Sequence, residues 1–158
     1  MEALARKVGE RLKAARALLV TAESCTGGWV AQAVTSIEGS SGWFERGFVT
    51  YSNAAKEELL GVTKETLQAH GAVSEETARE MAEGALARAK GTFALAVTGV
   101  AGPGGGSRDK PVGMVCFAWA SKKGSVVETR HFPGDRESVR RQSVVRALEG
   151  VLQHLDGA

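Results

Sequence analysis

The stretch that decides the fold class runs Leu18-Leu19-Val20-Thr21-Ala22-Glu23-Ser24-Cys25-Thr26-Gly27-Gly28. Residues 17–22 form a short, mostly apolar run of the kind that a buried strand shows. Only small residues follow from Ser24 to Gly28, and apolar residues then recur at helical spacing, at Trp29, Val30, Ala33, Val34 and Ile37. The predicted order is therefore strand, tight turn and helix, with Ser24 at the turn. Such a turn raises a hydroxyl above the sheet and directs backbone N–H groups at a ligand. The alternative interpretation is that Ser24 and Thr26 only cap the helix and the glycines make the turn.

The composition indicates one globular domain over residues 1–158. With 158 residues, of which 43% are hydrophobic and 24% charged, the chain is long enough to bury its own core. A net charge of +2 argues against a nucleic-acid-binding protein, which would carry a strongly basic surface. Cys25 and Cys116 have no Cys or His neighbour at metal-ligand spacing, so we expect neither a disulfide framework nor a metal site. We see no apolar run of about 18 residues and no signal peptide, and therefore expect a cytoplasmic protein without membrane contact.

Helices and strands alternate along the first part of the chain. The first helix is expected to bury one face, made of Leu4, Val8, Leu12 and Ala15. A second strand is predicted over Gly47–Tyr51, and Ser52-Asn53 should cap a short helix that runs through Lys56 to Leu60. Two more helices should start after Thr63 and Ser74, since both residue types are good N-caps.

The second part of the chain adds a third strand and a hairpin. The strand is predicted over Phe93–Val97, and a long loop, Gly99–Pro111, separates it from hairpin strands over 112–120 and 126–132. Asp135 should cap a last helix that packs through Val145, Leu148, Leu152 and Leu155. This pattern predicts a three-layer α/β/α domain with a mixed sheet. Functional residues of such folds gather at the carboxyl ends of strands, here residues 23–28, 50–56 and 98–110.

A serine nucleophile requires a base, because its hydroxyl is protonated at neutral pH. The three histidines, His70, His131 and His154, lie away from the predicted strand ends. Lysine can replace histidine when burial lowers its pKa, and Lys56 lies about one helical turn beyond Tyr51. Tyr51 could then relay a proton or donate to an oxyanion. The alternative is a solvated lysine next to a strand aromatic.

The segment from Thr98 to Lys110 is the most unusual one in the chain, because it contains five glycines. Closely spaced backbone N–H groups in such a loop can face an anion or a planar ring. It is neither a phosphate-binding P-loop nor a dinucleotide fingerprint, since a strand rather than a helix follows. The alternative is a mobile surface loop. Four arginines form a basic patch on the last helix, at Arg136, Arg140, Arg141 and Arg146, and Arg140 or Arg141 could clamp a phosphate.

Several long motifs resemble the CinA C-terminal-domain family of nicotinamide mononucleotide amidases. They are Thr21–Gly28, Phe48–Lys56, Gly71–Glu76, Val97–Gly106 with Lys110–Gly113, Gly134–Arg136 and Val139–Gln142. The resemblance implies hydrolysis of the carboxamide of nicotinamide mononucleotide to nicotinate mononucleotide and ammonia. It implies a serine nucleophile at Ser24, a lysine base at Lys56, and supporting roles for Tyr51 and Thr98.

The leading hypothesis is thus a Ser–Lys amidohydrolase without metal or cofactor that acts on a pyridine nucleotide, as a homo-oligomer. Backbone N–H groups at Cys25, Thr26 and Gly27, or in the glycine loop at Gly99, Gly102 and Gly105, could hold the oxyanion or substrate. Cys25 is a second candidate nucleophile. A non-catalytic nucleotide- or partner-binding module is the alternative from another class, although it would not require Ser24, Tyr51 and Lys56 together.

Overall fold

The computed structural model describes residues 1–156 and contains six helices and five strands within that range. The helices are α1 (Glu2–Ala14), α2 (Trp29–Thr35), α3 (Asn53–Leu60), α4 (Lys64–His70), α5 (Glu75–Arg88) and α6 (Arg136–His154). The strands are β1 (Leu19–Glu23), β2 (Phe44–Val49), β3 (Phe93–Gly99), β4 (Met114–Ser121) and β5 (Gly124–His131). A single turn of 3-10 helix, Ser40–Gly42, precedes β2.

The five strands form one mixed sheet in the order β2-β1-β3-β4-β5. Strand β1 pairs in parallel with both β2 and β3, whereas β4 is antiparallel to β3 and to β5. The carboxyl ends of β1, β2 and β3 therefore lie side by side at one edge, as predicted. Glu23 at the end of β1 is level with Val49 in β2 and Val97 in β3.

Two apolar cores cover the two faces of the sheet and confirm the three-layer arrangement. One face packs against α1, α2 and α6, and its strand residues are large, for example Leu95, Phe117 and Trp119. The other face packs against α5 and contains mainly alanine from β3 and β4, at Ala94, Ala96, Ala118 and Ala120. These small side chains let α5 lie close to the sheet.

The predicted helix caps are confirmed. The hydroxyls of Ser52, Thr63 and Ser74 and the carboxylate of Asp135 each accept a backbone hydrogen bond in the first turn of the helix that follows. A side-chain cap depends only on residues a few positions apart, which is why the sequence pattern identifies it.

Several predicted boundaries and faces are wrong. Strand β2 runs over Phe44–Val49 and not over the predicted Gly47–Tyr51. It begins earlier because Trp43 joins the core and its carbonyl accepts a hydrogen bond from the Leu19 N–H. Ala15 is exposed because α1 ends at Ala14. For the last helix, Leu148 lies in the core and Leu152 and Leu155 pack against it, as predicted. Val145 is only half-buried, and the core face also contains Val139, Val144, Ala147 and Val151.

Within residues 1–156, none of the helices combines the length and the hydrophobicity that a membrane span requires. The same residues contain no group of three or more His, Cys, Asp or Glu side chains placed to hold a metal ion.

Candidate active site

Ser24 and Lys56 meet at the carboxyl edge of the sheet. Ser24 follows β1 directly, and Lys56 lies in the first turn of α3, whose start is set by the Ser52 cap. The Lys56 amine lies 2.9 Å from Ser24 Oγ. Lys56 is 1% exposed and Ser24 8% exposed, so this lysine is not the solvated one of the alternative interpretation. Burial lowers the pKa of Lys56 from 10.5 to about 8.

The Lys56 amine has two further neighbours, both backbone carbonyls. Its Nζ lies 2.9 Å from the oxygen of Thr50 and 3.4 Å from that of Tyr51. A neutral amine has two hydrogens and one lone pair. When both hydrogens are donated to the carbonyls, the lone pair is left to accept a hydrogen bond from the Ser24 hydroxyl, whose oxygen is 2.9 Å away. The arrangement therefore suits Lys56 to take the proton of the Ser24 hydroxyl.

The turn after Ser24 is made by glycines, since Gly27 and Gly28 have φ values of 61° and 103°. Gly28 is the N-cap of α2 and no side chain caps that helix locally. The Thr26 hydroxyl instead donates to the carboxylate of Glu23, at 2.6 Å. The alternative in which Ser24 and Thr26 only cap the helix is therefore wrong, although the glycines do make the turn.

Cys25 is a poor second nucleophile. Its side chain is buried, and burial raises the pKa of the thiol from 9.0 to about 12. The thiolate is the reactive form of cysteine, and this environment strongly disfavours it.

Ser24, Lys56 and the glycine loop line one cleft with a volume of about 290 Å³. Of the predicted site residues, eight lie on its wall: Ser24, Cys25, Tyr51, Lys56, Thr98, Gly99, Gly102 and Gly105. Hydrogen bonds hold the loop at both ends, from Val100 N–H to the Met114 carbonyl at 2.9 Å and from Ser107 N–H to the Lys110 carbonyl at 2.9 Å. The Thr98 hydroxyl donates to the carbonyl of Ala72, at 2.8 Å, and so ties β3 to the segment before α5.

Tyr51 and Arg136 stand at the mouth of the cleft. The Arg136 guanidinium donates to the Gly102 carbonyl at 2.8 Å and to the Tyr51 hydroxyl at 3.0 Å. Tyr51 is 62% exposed. Its hydroxyl contacts Arg136, and its backbone carbonyl contacts Lys56. Sequence reasoning placed Arg136 in a basic patch and in the Gly134–Arg136 motif but gave it no role in the site. Its place in that motif, directly after the Asp135 cap, was the signal that could have singled it out.

Four predicted binding residues lie outside the lining of this cleft: Thr26, Gly27, Arg140 and Arg141. Arg140 donates to the carbonyls of Cys25 and Thr26, at 3.1 and 3.2 Å, and so supports the turn from outside. Arg141 is exposed and pairs with Glu137 at 3.1 Å. Arg146 does not belong to a solvated patch, because it is 9% exposed and pairs with Glu128 at 2.7 Å.

A sequence model of the CinA C-terminal domain matches residues 1–155. The chain belongs to the CinA C-terminal domain family. A protein of Escherichia coli K12 named nicotinamide-nucleotide amidohydrolase PncC is 55% identical to it over 151 residues, 95% of this chain and 92% of that protein. A Pseudomonas putida protein of the same name is 53% identical over 150 residues, 95% of this chain and 94% of that protein.

Solved structures of CinA-family proteins share the fold. The competence/damage inducible protein CihA of Agrobacterium tumefaciens is 47% identical, with a TM-score of 0.93 over 96% of this chain and 93% of its own. The competence damage-inducible protein A of Klebsiella pneumoniae is 39% identical, with a TM-score of 0.95 over 99% and 97%. The CinA fold expected from the sequence motifs is therefore confirmed.

Within this CinA domain, five of the motifs converge on the cleft. The Thr21–Gly28 motif supplies Ser24, the Phe48–Lys56 motif supplies Lys56, and the Gly134–Arg136 motif supplies Arg136. The Gly71–Glu76 and Val97–Gly106 motifs supply the Ala72–Val73 wall and the glycine loop. The segments are far apart in the chain, and the parallel pairing of β1 with β2 and β3 brings those at the strand ends together.

Proposed function

We propose that this chain hydrolyses the carboxamide of nicotinamide mononucleotide to nicotinate mononucleotide and ammonia, with Ser24 as nucleophile and Lys56 as base. The observation that carries the proposal is the 2.9 Å contact between Ser24 Oγ and a buried Lys56 whose pKa is lowered to about 8. The names of the E. coli and P. putida relatives supply the substrate class.

The reaction starts when neutral Lys56 takes the Ser24 proton and Ser24 Oγ attacks the carboxamide carbon. The protonated amine then gives its proton to the amide nitrogen, the C–N bond breaks, and ammonia leaves an acyl ester on Ser24. Water attacks this ester, loses a proton to Lys56, and the proton returns to Ser24 Oγ as nicotinate mononucleotide is released. The Thr50 and Tyr51 carbonyls accept hydrogen bonds from Lys56 throughout, which keeps the amine aimed at Ser24.

Backbone N–H groups stabilise the oxyanion of the tetrahedral intermediate, each contributing about 3 kcal/mol. The Cys25 N–H follows the nucleophile directly and lies on the cleft wall, and Gly99, Gly102 and Gly105 of the glycine loop line the same cleft. Thr26 lies outside that lining. The Gly27 N–H is a weaker candidate, because it already donates to the Ser24 carbonyl at 3.0 Å.

Arg136 is the best-placed group to bind the 5′-phosphate. It is on the cleft wall, and its two contacts there are a carbonyl and a phenol, which are neutral acceptors that a phosphate dianion would outcompete. Arg140 and Arg141, the phosphate ligands predicted from the sequence, remain alternatives outside the cleft lining. Binding energy from the phosphate would position the amide beside Ser24.

Ammonia release from nicotinamide mononucleotide tests the proposal. Ser24→Ala should abolish release while substrate binding stays within a few-fold of wild type, because the hydroxyl is required for covalent chemistry. Cys25→Ser, the matched control at the neighbouring residue, should keep most of the activity. Tight binding of the mononucleotide by the wild type without ammonia release would favour the non-catalytic binding module instead.

Three further expectations remain predictions that belong to this proposal. They are a homo-oligomeric assembly, a cytoplasmic location and a single domain over residues 1–158. Sedimentation of the purified protein and fractionation of cells test the first two.

A further inference from the structure

Glu23, the residue before the nucleophile, points to the opposite face of the sheet. Side chains alternate along β1, so Val20 and Ala22 belong to the core beneath α5, while Leu19 belongs to the core beneath α2 and α6. Ser24 lies on the same face as Val20 and Ala22, and its hydroxyl reaches Lys56 in α3. Glu23 lies on the same face as Leu19, and its carboxylate reaches α2.

The Glu23 carboxylate is fully buried and accepts three hydrogen bonds from the turn and helix that follow it. Oε1 accepts from the Thr26 hydroxyl at 2.6 Å and from Val30 N–H at 2.8 Å, and Oε2 accepts from Ala31 N–H at 3.0 Å. A carboxylate at a helix N-terminus is favourable because of the helix dipole, and charge-assisted bonds are strong. Glu23 thus replaces the side-chain cap that Gly28 lacks.

Burial of this carboxylate is not explained by an ion pair, since the described residues place no Lys, Arg or His in a salt bridge with Glu23. An unpaired buried charge is unfavourable unless hydrogen bonds satisfy it. Here the compensating donors all come from the nucleophile turn and the start of α2, so the carboxylate can be accommodated only if the turn keeps this conformation.

The main chain up to Ser24 is held by the sheet. Ser24 N–H donates to the Val97 carbonyl at 3.0 Å, and the Glu23 carbonyl accepts from Thr50 N–H at 2.8 Å, which extends the sheet to this point. Beyond Ser24 the chain leaves the sheet. The Glu23 carboxylate ties the far side of the turn, at Thr26 and α2, back to β1. Arg140 of α6 holds the Cys25 and Thr26 carbonyls of the same turn, but it makes no bond to β1.

We propose that Glu23 is a positioning residue that sets the distance between Ser24 Oγ and Lys56 Nζ. This inference rests on the proposed roles of Ser24 and Lys56. A displacement of about 1 Å at a reacting atom costs about 100-fold in rate. Loss of the Glu23 bonds should therefore lower kcat much more than it changes KM, because the residue touches the turn and not the substrate.

The test uses four variants, each characterised by kcat, KM and a crystal structure. Glu23→Gln keeps the shape but loses the charge, and its amide NH2 would face a backbone donor. Thr26→Val removes one donor to Glu23, whereas Thr26→Ser retains it. Thr21→Val is the matched control, because Thr21 lies on the same strand and face and its buried hydroxyl has no hydrogen-bond partner within residues 1–156.

We expect kcat to fall about 100-fold in Glu23→Gln and about 10-fold in Thr26→Val, with KM within about threefold of wild type. Thr26→Ser should keep more of kcat than Thr26→Val, and Thr21→Val should match the wild type. In both impaired variants the Ser24–Lys56 contact, 2.9 Å in the wild type, should lengthen beyond hydrogen-bond distance.

Either of two results would overturn the inference: an unchanged kcat in Glu23→Gln and Thr26→Val, or a lowered kcat while the 2.9 Å contact persists. If Glu23→Gln does not fold, the Thr26→Val and Thr26→Ser pair decides by the same two measurements. Activity of the Ser24→Ala variant would instead refute the proposed function, and the crystallographic distance would still report on Glu23.

Discussion

Lys56 shows how one residue acquires a chemical role from its surroundings. An ordinary lysine is charged at neutral pH and would hold no lone pair for a proton. Burial against Ser24 and two backbone carbonyls disfavours the charged form and lowers the pKa to about 8. The neutral amine, which a general base requires, is then a minor but accessible form at neutral pH.

The first prediction concerns the pH dependence of that base. If Lys56 is the proposed base, its neutral amine is the active form, and kcat/KM should rise with pH up to about 8 and level off above it. Lys56→Arg should lose at least about 1000-fold in activity, because arginine keeps its proton at any usable pH. The measurement is the rate of ammonia release between about pH 6 and 10. A flat profile, or an active arginine variant, would contradict a lysine base.

A second prediction at the residue scale separates the three arginines. If Arg136 binds the phosphate, Arg136→Ala should narrow the preference for the mononucleotide over nicotinamide by about 10-fold or more, since a bidentate phosphate contact is lost. The measurement is kcat/KM for both compounds in Arg136→Ala, Arg140→Ala and Arg141→Ala. If the preference for the mononucleotide narrows in Arg140→Ala or Arg141→Ala but not in Arg136→Ala, the phosphate binds outside the cleft. Equal use of both compounds by the wild type would remove the phosphate anchor altogether.

At the scale of elements, glycines inside helices mark the closest packing contacts. A Cβ at Gly9 in α1 or at Gly150 in α6 would overlap a tryptophan ring, that of Trp43 or Trp119. A Cβ at Gly84 in α5 would lie 1.8 Å from the carbonyl oxygen of Leu60. Glycine in a helix costs about 1 kcal/mol relative to alanine, and these close approaches offset that cost. The contact at Gly84 sets the position of α3, and α3 carries Lys56.

Gly84→Ala should therefore affect both stability and activity. The added methyl group would push α3 away from α5, which should lower the free energy of unfolding by roughly 1–3 kcal/mol. Because Lys56 lies one turn before Leu60 in α3, kcat should fall as well. Urea unfolding and ammonia release measure the two effects. Gly42→Ala is the control, since a Cβ there meets nothing within 4 Å; equal stability of both variants would show that α3 and α5 adjust freely.

At the scale of the whole molecule, the proposed active site lies where the two helical layers meet the edge of the sheet. Ser24 comes from the sheet, Lys56 from one helical layer and Arg136 from the other. Placing Lys56 in this junction opposes folding at neutral pH, because the folded protein must hold a proton on a buried amine. Stability and catalysis are thus linked through one group.

That linkage gives a prediction with a defined sign. The pKa of Lys56 is 10.5 in the unfolded chain and about 8 in the folded protein, so the unfolded state binds more protons between these pH values. The contribution of Lys56 to stability should be fully present above pH 10.5 and lost as the pH falls to about 8. The stability of wild type relative to Lys56→Met should therefore rise by up to about 3 kcal/mol across that window. If the difference in the free energy of unfolding between wild type and Lys56→Met does not change with pH, the pKa of Lys56 is the same in the folded and unfolded states.

The sequence by itself determined the order of elements, the helix caps and the three strand ends that build the site. Each depends on residues close together in the chain: Ser52 caps α3 through Ala55, and alternation along β1 separates Ser24 from Glu23. The pairing of Ser24 with Lys56 was also predicted, because parallel strands bring their carboxyl ends to one edge.

Only the tertiary structure decided which charged side chains are buried and what they contact. Arg146 and Arg136 look alike in sequence, yet one pairs with Glu128 against the sheet and the other reaches Tyr51, 85 positions away. The three bonds of Glu23 and the close approaches at Gly84 likewise depend on helix placement. The physical reason is that burial and pKa follow from distances between segments, and these distances are set by the packing of whole helices on the sheet.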